Sequence, residues 1–166
     1  MTVSAVVVGN PKPQSRTLAA ATRVVRELLG EPDLVIDLAT LGPAVLDWSD
    51  PTVTDLVKRV GAADLTVFAS PTYKATYTGL LKLFLDRFAG GTGLSGLAVP
   101  LMLGAGPTHA LAPELTLRPV LTEIGGIVPG RGLYVHDAQY DDPEAYADWL
   151  ARTRPVIASY LKGRDT

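Results

Sequence analysis

The chain has 166 residues, 47% of them hydrophobic, and a formal net charge of -2 at pH 7. This length and apolar fraction predict a single domain over residues 1–166 with a substantial core. The weak net charge provides no basic field for nucleic acid, and the absence of cysteine excludes disulfides, thiolate metal ligands and cysteine nucleophiles.

The first residues lead directly into an apolar strand pattern, without a preceding basic segment or a following small-residue cleavage site. Glycine, proline or a charged residue interrupts each apolar run before it reaches the roughly 20 residues that a membrane-spanning helix needs. We therefore expect a cytoplasmic protein that does not bind membranes.

Runs rich in valine, leucine and isoleucine alternate with helical patterns along the chain. The predicted strands cover residues 3–9, 34–38, 65–70, 97–103 and 127–135. The predicted helices cover residues 15–29, 52–61, 78–88, 108–124 and 143–161. Near-continuous apolar character in the first and fourth strands indicates burial on both faces, as in parallel strands under helices. The alternation predicts a flavodoxin-like α/β fold, a doubly wound five-stranded parallel sheet of order 2-1-3-4-5 with helices on both faces.

Glycine and proline mark the ends and the weak points of these elements. Gly30, Gly61 and Gly90 lie just past three predicted helices, where a left-handed cap favours glycine. Pro100 is unusual in a central strand, so we expect a bulge or a nearby edge at this position. Pro119 lies within the fourth helical pattern and predicts a kink or a break there.

Three polar loops follow the first, third and fourth strands, which are neighbours in the predicted order. Their sequences are GNPKPQSRT at 9–17, PTYKATYTG at 71–79 and GAGPTH at 104–109. The carboxyl ends of parallel strands share one edge of the sheet. The loops should therefore converge on one crevice, at the switch point where open α/β sheets bind ligands.

The first of these loops has the features of a phosphate site. Ser15, Arg16 and Thr17 stand at a predicted helix start, where they add two hydroxyls and a guanidinium to unpaired backbone N–H groups. A diphosphate would favour a glycine-rich turn, whereas Pro11 and Pro13 stiffen this loop, so a monophosphate fits better. The alternative is that Ser15 only caps a helix.

The other two loops suit a planar ring. In the second loop, aromatic side chains, backbone donors and Lys74 suit the ring of a flavin, whose chemistry nearby donors tune. Packing of Tyr77 and solvation of Lys74 are the alternatives. The third loop begins like a dinucleotide fingerprint but has His109 in place of the third glycine. Its small residues let backbone amides approach a ring, and His109 is either a ring contact or a surface residue.

Jointly the three loops resemble the NADPH-dependent FMN reductase family, including the reductase components of two-component alkanesulfonate monooxygenases. The similarity covers nearly the whole chain and is strongest in SPTYKATYTGLLK at 70–82, Leu85-Asp86, GAGPTHAL at 104–111 and LRPVL at 117–121. The resemblance implies an oxidoreductase that passes hydride from NADPH or NADH to FMN. It also implies a homodimer or homotetramer, with a flavin-dependent monooxygenase as a candidate partner.

The same resemblance implies the residues that hold the cofactor. The first loop would hold the FMN phosphate, the second would border the isoalloxazine, and the third would close its other edge. Asn10 stands where a serine is usual. The predicted cofactor-binding residues are Asn10, Ser15, Arg16, Thr17, Pro71, Thr72, Tyr73, Lys74, Gly104, Ala105, Gly106 and His109. No catalytic side chain and no metal ligand is assigned, since the hydride chemistry belongs to the cofactor.

Two further expectations concern flavin retention and assembly. Leu115 stands where some similar reductases carry an inserted aromatic residue that helps flavin leave, so tighter flavin binding is expected here. The third helix has more apolar positions than one buried stripe requires, which favours a subunit contact. These positions are Leu80, Leu81, Leu83, Phe84, Leu85 and Phe88.

Two other functions would use the same fold. An FMN-dependent quinone or azo reductase would share the flavin site and differ mainly in the pocket above the ring. A flavodoxin-type electron carrier would bind FMN without reacting with nicotinamide. The weak net charge counts against the carrier, because carriers commonly find their partners through strong complementary charge.

Overall fold

A parallel five-stranded sheet with helices on both faces forms the protein, which a computed structural model describes over residues 2–164. The strands are β1 (Ser4–Val8), β2 (Leu34–Asp37), β3 (Leu65–Pro71), β4 (Leu97–Gly104) and β5 (Leu133–His136). The helices are α1 (Arg16–Leu29), α2 (Pro51–Ala62), α3 (Gly79–Leu85), α4 (Arg118–Glu123) and α5 (Glu144–Arg164). The strand order is β2-β1-β3-β4-β5, which confirms the predicted flavodoxin-like topology.

The sheet separates two apolar layers. Helices α1 and α5 pack on the face that includes Val6 and Val8. Helices α2, α3 and α4 pack on the opposite face, which includes Val7 and Phe68. Because every residue of β1 is buried, both of its faces contribute to the core, as its continuous apolar sequence predicts.

The fifth strand is shorter than predicted. It begins at Leu133, whereas Ile127 forms only an isolated parallel bridge with Leu97. There the Ala98 N–H donates to the Ile127 carbonyl over 2.9 Å. Alternate N–H groups of a strand point to opposite sides, so position 100 faces the same side as position 98. Pro100 therefore lies in the interval between Ile127 and the start of β5, which explains a proline in a strand with neighbours on both sides.

Capping groups fix the ends of the helices. The Ser15 hydroxyl accepts a hydrogen bond from Leu18 N at the start of α1, and Gly30 ends this helix with φ +99°. The expectation for Gly61 was wrong, because this residue lies inside α2. A β-carbon at Gly61 would collide with the Gly93 carbonyl, so a close backbone approach requires the glycine.

The third helix also ends earlier than predicted. Thr78 caps its start, but α3 stops at Leu85, and Asp86 is its C-terminal cap. Gly90 is therefore not its cap. Of the six apolar residues that the prediction placed in this helix, four, including Phe84 and Phe88, are buried in the chain's own core. These apolar positions favoured a subunit contact, but the main one left at the surface is Leu83, which is 39% exposed.

The predicted fourth helix is broken into three pieces. A 3-10 turn at Pro107–His109 precedes a π-helical turn at Pro113–Leu117, and α4 follows directly. In the wide turn the Arg118 N–H donates to the Pro113 carbonyl. Pro119 lacks an N–H and its ring crowds the carbonyl four residues before it, which a wide turn relieves. The predicted break near Pro119 is confirmed, and Leu115 is exposed on the turn.

Candidate cofactor site

The three predicted loops lie side by side at the carboxyl edge of the sheet. The Gly9 N–H donates to the Ala69 carbonyl over 2.8 Å, and the Thr78 hydroxyl donates to the Gly9 carbonyl. These bonds join the first loop to the second. The Thr72 N–H donates to the Leu103 carbonyl over 2.7 Å, which joins the second loop to the third. The convergence that the topology predicts is present.

Side chains of the first loop determine its shape. The Asn10 amide oxygen accepts from Lys12 N (2.9 Å), and its amide nitrogen donates to the buried Thr17 hydroxyl (3.0 Å). Gln14 has a left-handed backbone with φ +51°, and its N–H donates to the Asp37 carboxylate at the end of β2 (2.9 Å). Asn10 and Thr17 therefore fix the loop, which presents its remaining polar groups outward.

A cavity lined by two cationic side chains and one carboxylate opens where this loop meets α1. The first turn of α1 has no acidic residue, so the positive end of its dipole is not neutralised there. The Arg16 guanidinium donates to the Asp137 carboxylate over 2.8 Å and lies 5.6 Å from the centre of the Tyr140 ring. The cavity has a volume of about 290 Å³ and is lined by Asn10, Lys12, Gln14, Ser15, Arg16, Tyr73 and Asp137.

The second loop is a tight hairpin turn. Tyr73 N–H donates to the Thr76 carbonyl over 2.9 Å, and Thr76 N–H returns a bond over 3.3 Å. The two central residues, Lys74 and Ala75, have φ of +52° and +70°. Left-handed conformations at both central positions are the geometry of a type I′ turn, which normally favours asparagine and glycine. This turn leaves Tyr73 and Lys74 exposed beside the cavity.

Two buried hydroxyls close the base of this loop. The Ser70 hydroxyl accepts from Thr78 N over 2.9 Å and donates to the Pro71 carbonyl over 2.8 Å. Ser70 is fully buried. Within residues 2–164, the Thr72 hydroxyl oxygen is buried but has no hydrogen-bonding partner. A buried hydroxyl without a partner is uncommon, and at this edge it fits a bound molecule with a polar rim.

The third loop is held from beneath by β5. The Tyr134 hydroxyl donates to the Gly106 carbonyl over 2.6 Å, and burial raises the pKa of this phenol, so it keeps its proton. A β-carbon at Gly104 would collide with the same hydroxyl. At Gly106, by contrast, a β-carbon would meet open space. His109 is exposed in the short 3-10 turn. The loop therefore presents backbone and small side chains to the crevice.

Sequence reasoning missed the residues that support these loops from other elements. Asp137 and Tyr140 follow β5, Asp37 ends β2, and Tyr134 lies within β5. The available signal was weak: an acidic residue directly after a strand, and a tyrosine in a strand beside a glycine-rich loop. Their partners are distant in sequence, so only the folded arrangement identifies them.

These features fit FMN. The cavity offers a guanidinium and a helix N-terminus for a phosphate, and the Thr72 hydroxyl and the glycine-containing loop suit a ring. Within residues 2–164, no cluster of acidic or histidine side chains could hold a metal ion. The same part of the chain has no helix of the length and apolarity needed to cross a bilayer.

The sequence over residues 1–141 matches the profile of the NADPH-dependent FMN reductases. The chain belongs to this family. It is therefore an oxidoreductase that uses FMN and a reduced nicotinamide, which confirms the resemblance noted from its motifs. The match extends over all three loops and ends shortly before α5.

Individual proteins that are similar to this FMN reductase family member support the assignment. The FMN reductase (NADPH) of Pseudomonas aeruginosa is 30% identical over 148 residues, covering 84% of this chain and 79% of that protein. An FMN-dependent NADPH-azoreductase of Staphylococcus haemolyticus is 28% identical over 158 residues, covering 86% and 83%. The apo crystal structure of NADH:FMN oxidoreductase (EMOB) superposes with a TM-score of 0.81 at 28% identity, covering 96% of this chain and 88% of that one.

Proposed function

We propose that this FMN reductase holds its flavin across the three loops, with the phosphate in the cavity at the start of α1. The observation that supports this most strongly is that Arg16, the N-terminus of α1, whose first turn has no acidic residue, and the exposed Tyr73 meet in that cavity. A helix N-terminus favours an anion, and a guanidinium forms charge-assisted bonds with phosphate oxygens. The order of the loops then assigns the ring to the second and third loops.

The roles of the first-loop residues follow from their contacts. Arg16 binds the phosphate directly, together with backbone N–H groups at the start of α1. The hydroxyl of Ser15 is already engaged by Leu18 N, so Ser15 orders the helix start and contributes mainly through its position. Asn10 and Thr17 hold the loop around the anion.

The ring side of the site binds and orients, and none of its side chains has to move a proton. When bound, FMN accepts a hydride from the reduced nicotinamide and passes the electrons to an acceptor. The Thr72 hydroxyl and the backbone of residues 104–106 meet the polar edge of the ring. Tyr73 and Lys74 border it on the outer side, while Pro71 and His109 limit access of water.

The electron acceptor and the assembly belong to the same proposal. The favoured electron acceptor is free flavin, which in its reduced form is supplied to a flavin-dependent monooxygenase. The protein acts in the cytoplasm as a homodimer or homotetramer. Azo or quinone reduction on the same site is the second candidate, favoured by similarity to the azoreductase of Staphylococcus haemolyticus. Either nicotinamide is a candidate donor, because similar proteins include NADPH- and NADH-dependent enzymes.

Anaerobic absorbance tests the proposal directly. The purified protein is titrated with FMN, and NADPH or NADH is then added. Binding followed by rapid bleaching of the flavin band supports the assigned site and ranks the two donors. If FMN had the same absorbance spectrum with and without the protein, the three-loop site would be contradicted. Addition of an azo dye or of free FMN in excess then shows which acceptor reoxidises the protein faster.

The Arg16→Ala variant tests the phosphate assignment. Loss of one charge-assisted phosphate contact should weaken FMN binding by about 1.5–3 kcal/mol, with riboflavin binding unchanged because riboflavin lacks the phosphate. Arg26→Ala is the matched control, since Arg26 lies further along α1 in an exposed pair with Glu31. Equal FMN affinity in the Arg16 and Arg26 variants would reject the assignment.

A further inference from the structure

Arg16, the cation proposed to bind the phosphate, already has an anionic partner within the chain. Its guanidinium donates to the Asp137 carboxylate over 2.8 Å. Asp137 directly follows β5, far from Arg16 in sequence. Among the described residues that line the cavity, Asp137 is the one carboxylate. A phosphate that enters this cavity must therefore share Arg16 with a negative charge.

We propose that Asp137 is an affinity-setting residue that competes with the flavin phosphate for Arg16 and so lowers the affinity for FMN. This inference rests on the proposed function, since it requires the phosphate to lie in the cavity. Asp137 is not a catalytic residue, because it acts on the ligand's phosphate end and through Arg16. Its effect should distinguish FMN from riboflavin, which has the same ring and no phosphate.

The opposite role, in which Asp137 helps FMN by holding Arg16 in place, is disfavoured by the surroundings of the pair. The side chains of Arg16 and Asp137 are 57% and 44% exposed. Exposed ion pairs are weak, so this pair does little to hold the Arg16 side chain in one position. Arg16 also lies against the Tyr140 ring, at 5.6 Å from its centre. Such a cation–π contact orients the guanidinium without the carboxylate.

The size of the effect follows from charge. Near neutral pH the phosphate carries up to two negative charges and the carboxylate carries one. With a shared guanidinium between them, their repulsion corresponds to about tenfold in affinity even at the dielectric constant of water. Salt screens exposed charges, so the effect should be largest at low ionic strength.

The test compares dissociation constants for FMN and riboflavin, measured by flavin fluorescence at low ionic strength. Asp137→Asn removes the charge and keeps a hydrogen-bond acceptor for Arg16. We expect it to tighten FMN binding about tenfold and to leave riboflavin binding within twofold. Glu31→Gln is the matched control, because it makes the same charge change in the exposed pair at the far end of α1. It should leave both affinities unchanged.

Three outcomes contradict the inference or its basis, and they are distinguishable. Unchanged or weaker FMN binding in Asp137→Asn, with normal riboflavin binding, would overturn the competing role of Asp137. Equal tightening in Glu31→Gln would reduce the effect to overall charge and would also overturn it. If the unsubstituted protein bound neither flavin, the proposed function itself would fail. Asp137→Ala, which removes the hydrogen-bond acceptor as well, should tighten FMN binding in the same direction as Asp137→Asn.

Discussion

The first and second loops, which are joined at Gly9, are held in different ways. The loop proposed to border the ring, residues 71–78 (the ring-side loop), is closed by hydrogen bonds among Ser70, Thr78 and the carbonyls of Gly9 and Pro71. The loop proposed to hold the phosphate, residues 10–15 (the phosphate-side loop), is held by partly exposed side chains, and Arg16 beside it forms an ion pair that water reaches.

In the proposed site, this difference separates two tasks. Hydrogen bonds among buried atoms are costly to break, because the donor and the acceptor are then left without a partner and without water to replace it. The ring-side loop thus has its shape before a ligand arrives. Exposed ion pairs exchange partners at little cost, so the phosphate side adapts when an anion enters. The proposed site thus combines rigid geometry at the ring with a replaceable contact at the phosphate.

Gly9→Ala should have the largest effect on stability, since Gly9 lies where the first and second loops are joined. A β-carbon at Gly9 would collide with Leu81, both with its β-carbon and with the helix backbone. Helix backbone cannot swing away as a side chain can, so we expect a loss of about 3 kcal/mol in the free energy of unfolding. Denaturant unfolding of the flavin-free protein measures this loss.

Gly106→Ala is the control for that substitution. Gly106 also lies in a site loop, but its backbone is extended and a β-carbon there meets open space. Its free energy of unfolding should stay within about 0.5 kcal/mol of the original. If both alanine variants lost the same stability, close packing at Gly9 would not explain the first result.

Ser70→Ala should have the next largest effect and isolates the ring-side loop. The Thr78 N–H would lose its acceptor and the Pro71 carbonyl its donor, both at a buried position. We expect a loss of about 2 kcal/mol in unfolding free energy, together with weaker binding of both FMN and riboflavin. Loss of affinity for FMN alone would contradict the division between ring and phosphate sides.

Ser49→Ala provides the matched control. Its hydroxyl also makes a hydrogen bond, over 2.6 Å to the Asp47 carboxylate, but the residue is exposed. Water can replace that bond, so the unfolding free energy should change by less than about 0.5 kcal/mol. The pair of serine variants therefore measures the contribution of burial.

The sequence supports the prediction of the sheet because its information is local. Apolar runs, caps such as Ser15 and the alternation of elements define the strands and, with the handedness of crossovers, their order. Boundaries failed where a distant contact decided them. The fifth strand starts late because Ile127 meets β4 only at one point. Position 61 is a glycine because Gly93 approaches it closely, and not because a helix ends there.

The same distinction applies to the site. The loops were predictable from polar residues at strand ends, and the family resemblance assigned their roles. Asp137 and Tyr134 were not predictable, because each contacts its loop only after β5 has joined the sheet beside β4. A residue that acts on a loop through tertiary contact leaves no periodic pattern in its own neighbourhood.

The smallest predicted effect has the opposite sign and tests whether the ring-side turn is strained. Ala75 has φ +70°, a left-handed conformation that a β-carbon disfavours by about 1 kcal/mol or more. Ala75→Gly removes that strain, and the greater freedom of glycine in the unfolded chain offsets part of the gain. We expect a net stabilisation of about 0.5 kcal/mol, measured by denaturant unfolding. Ala19→Gly, at an exposed position within α1, should instead lose about 1 kcal/mol. If both substitutions destabilised the protein equally, the turn would hold no strain, and hydrogen bonding at Ser70 and Thr78 alone would account for the rigidity of the ring-side loop.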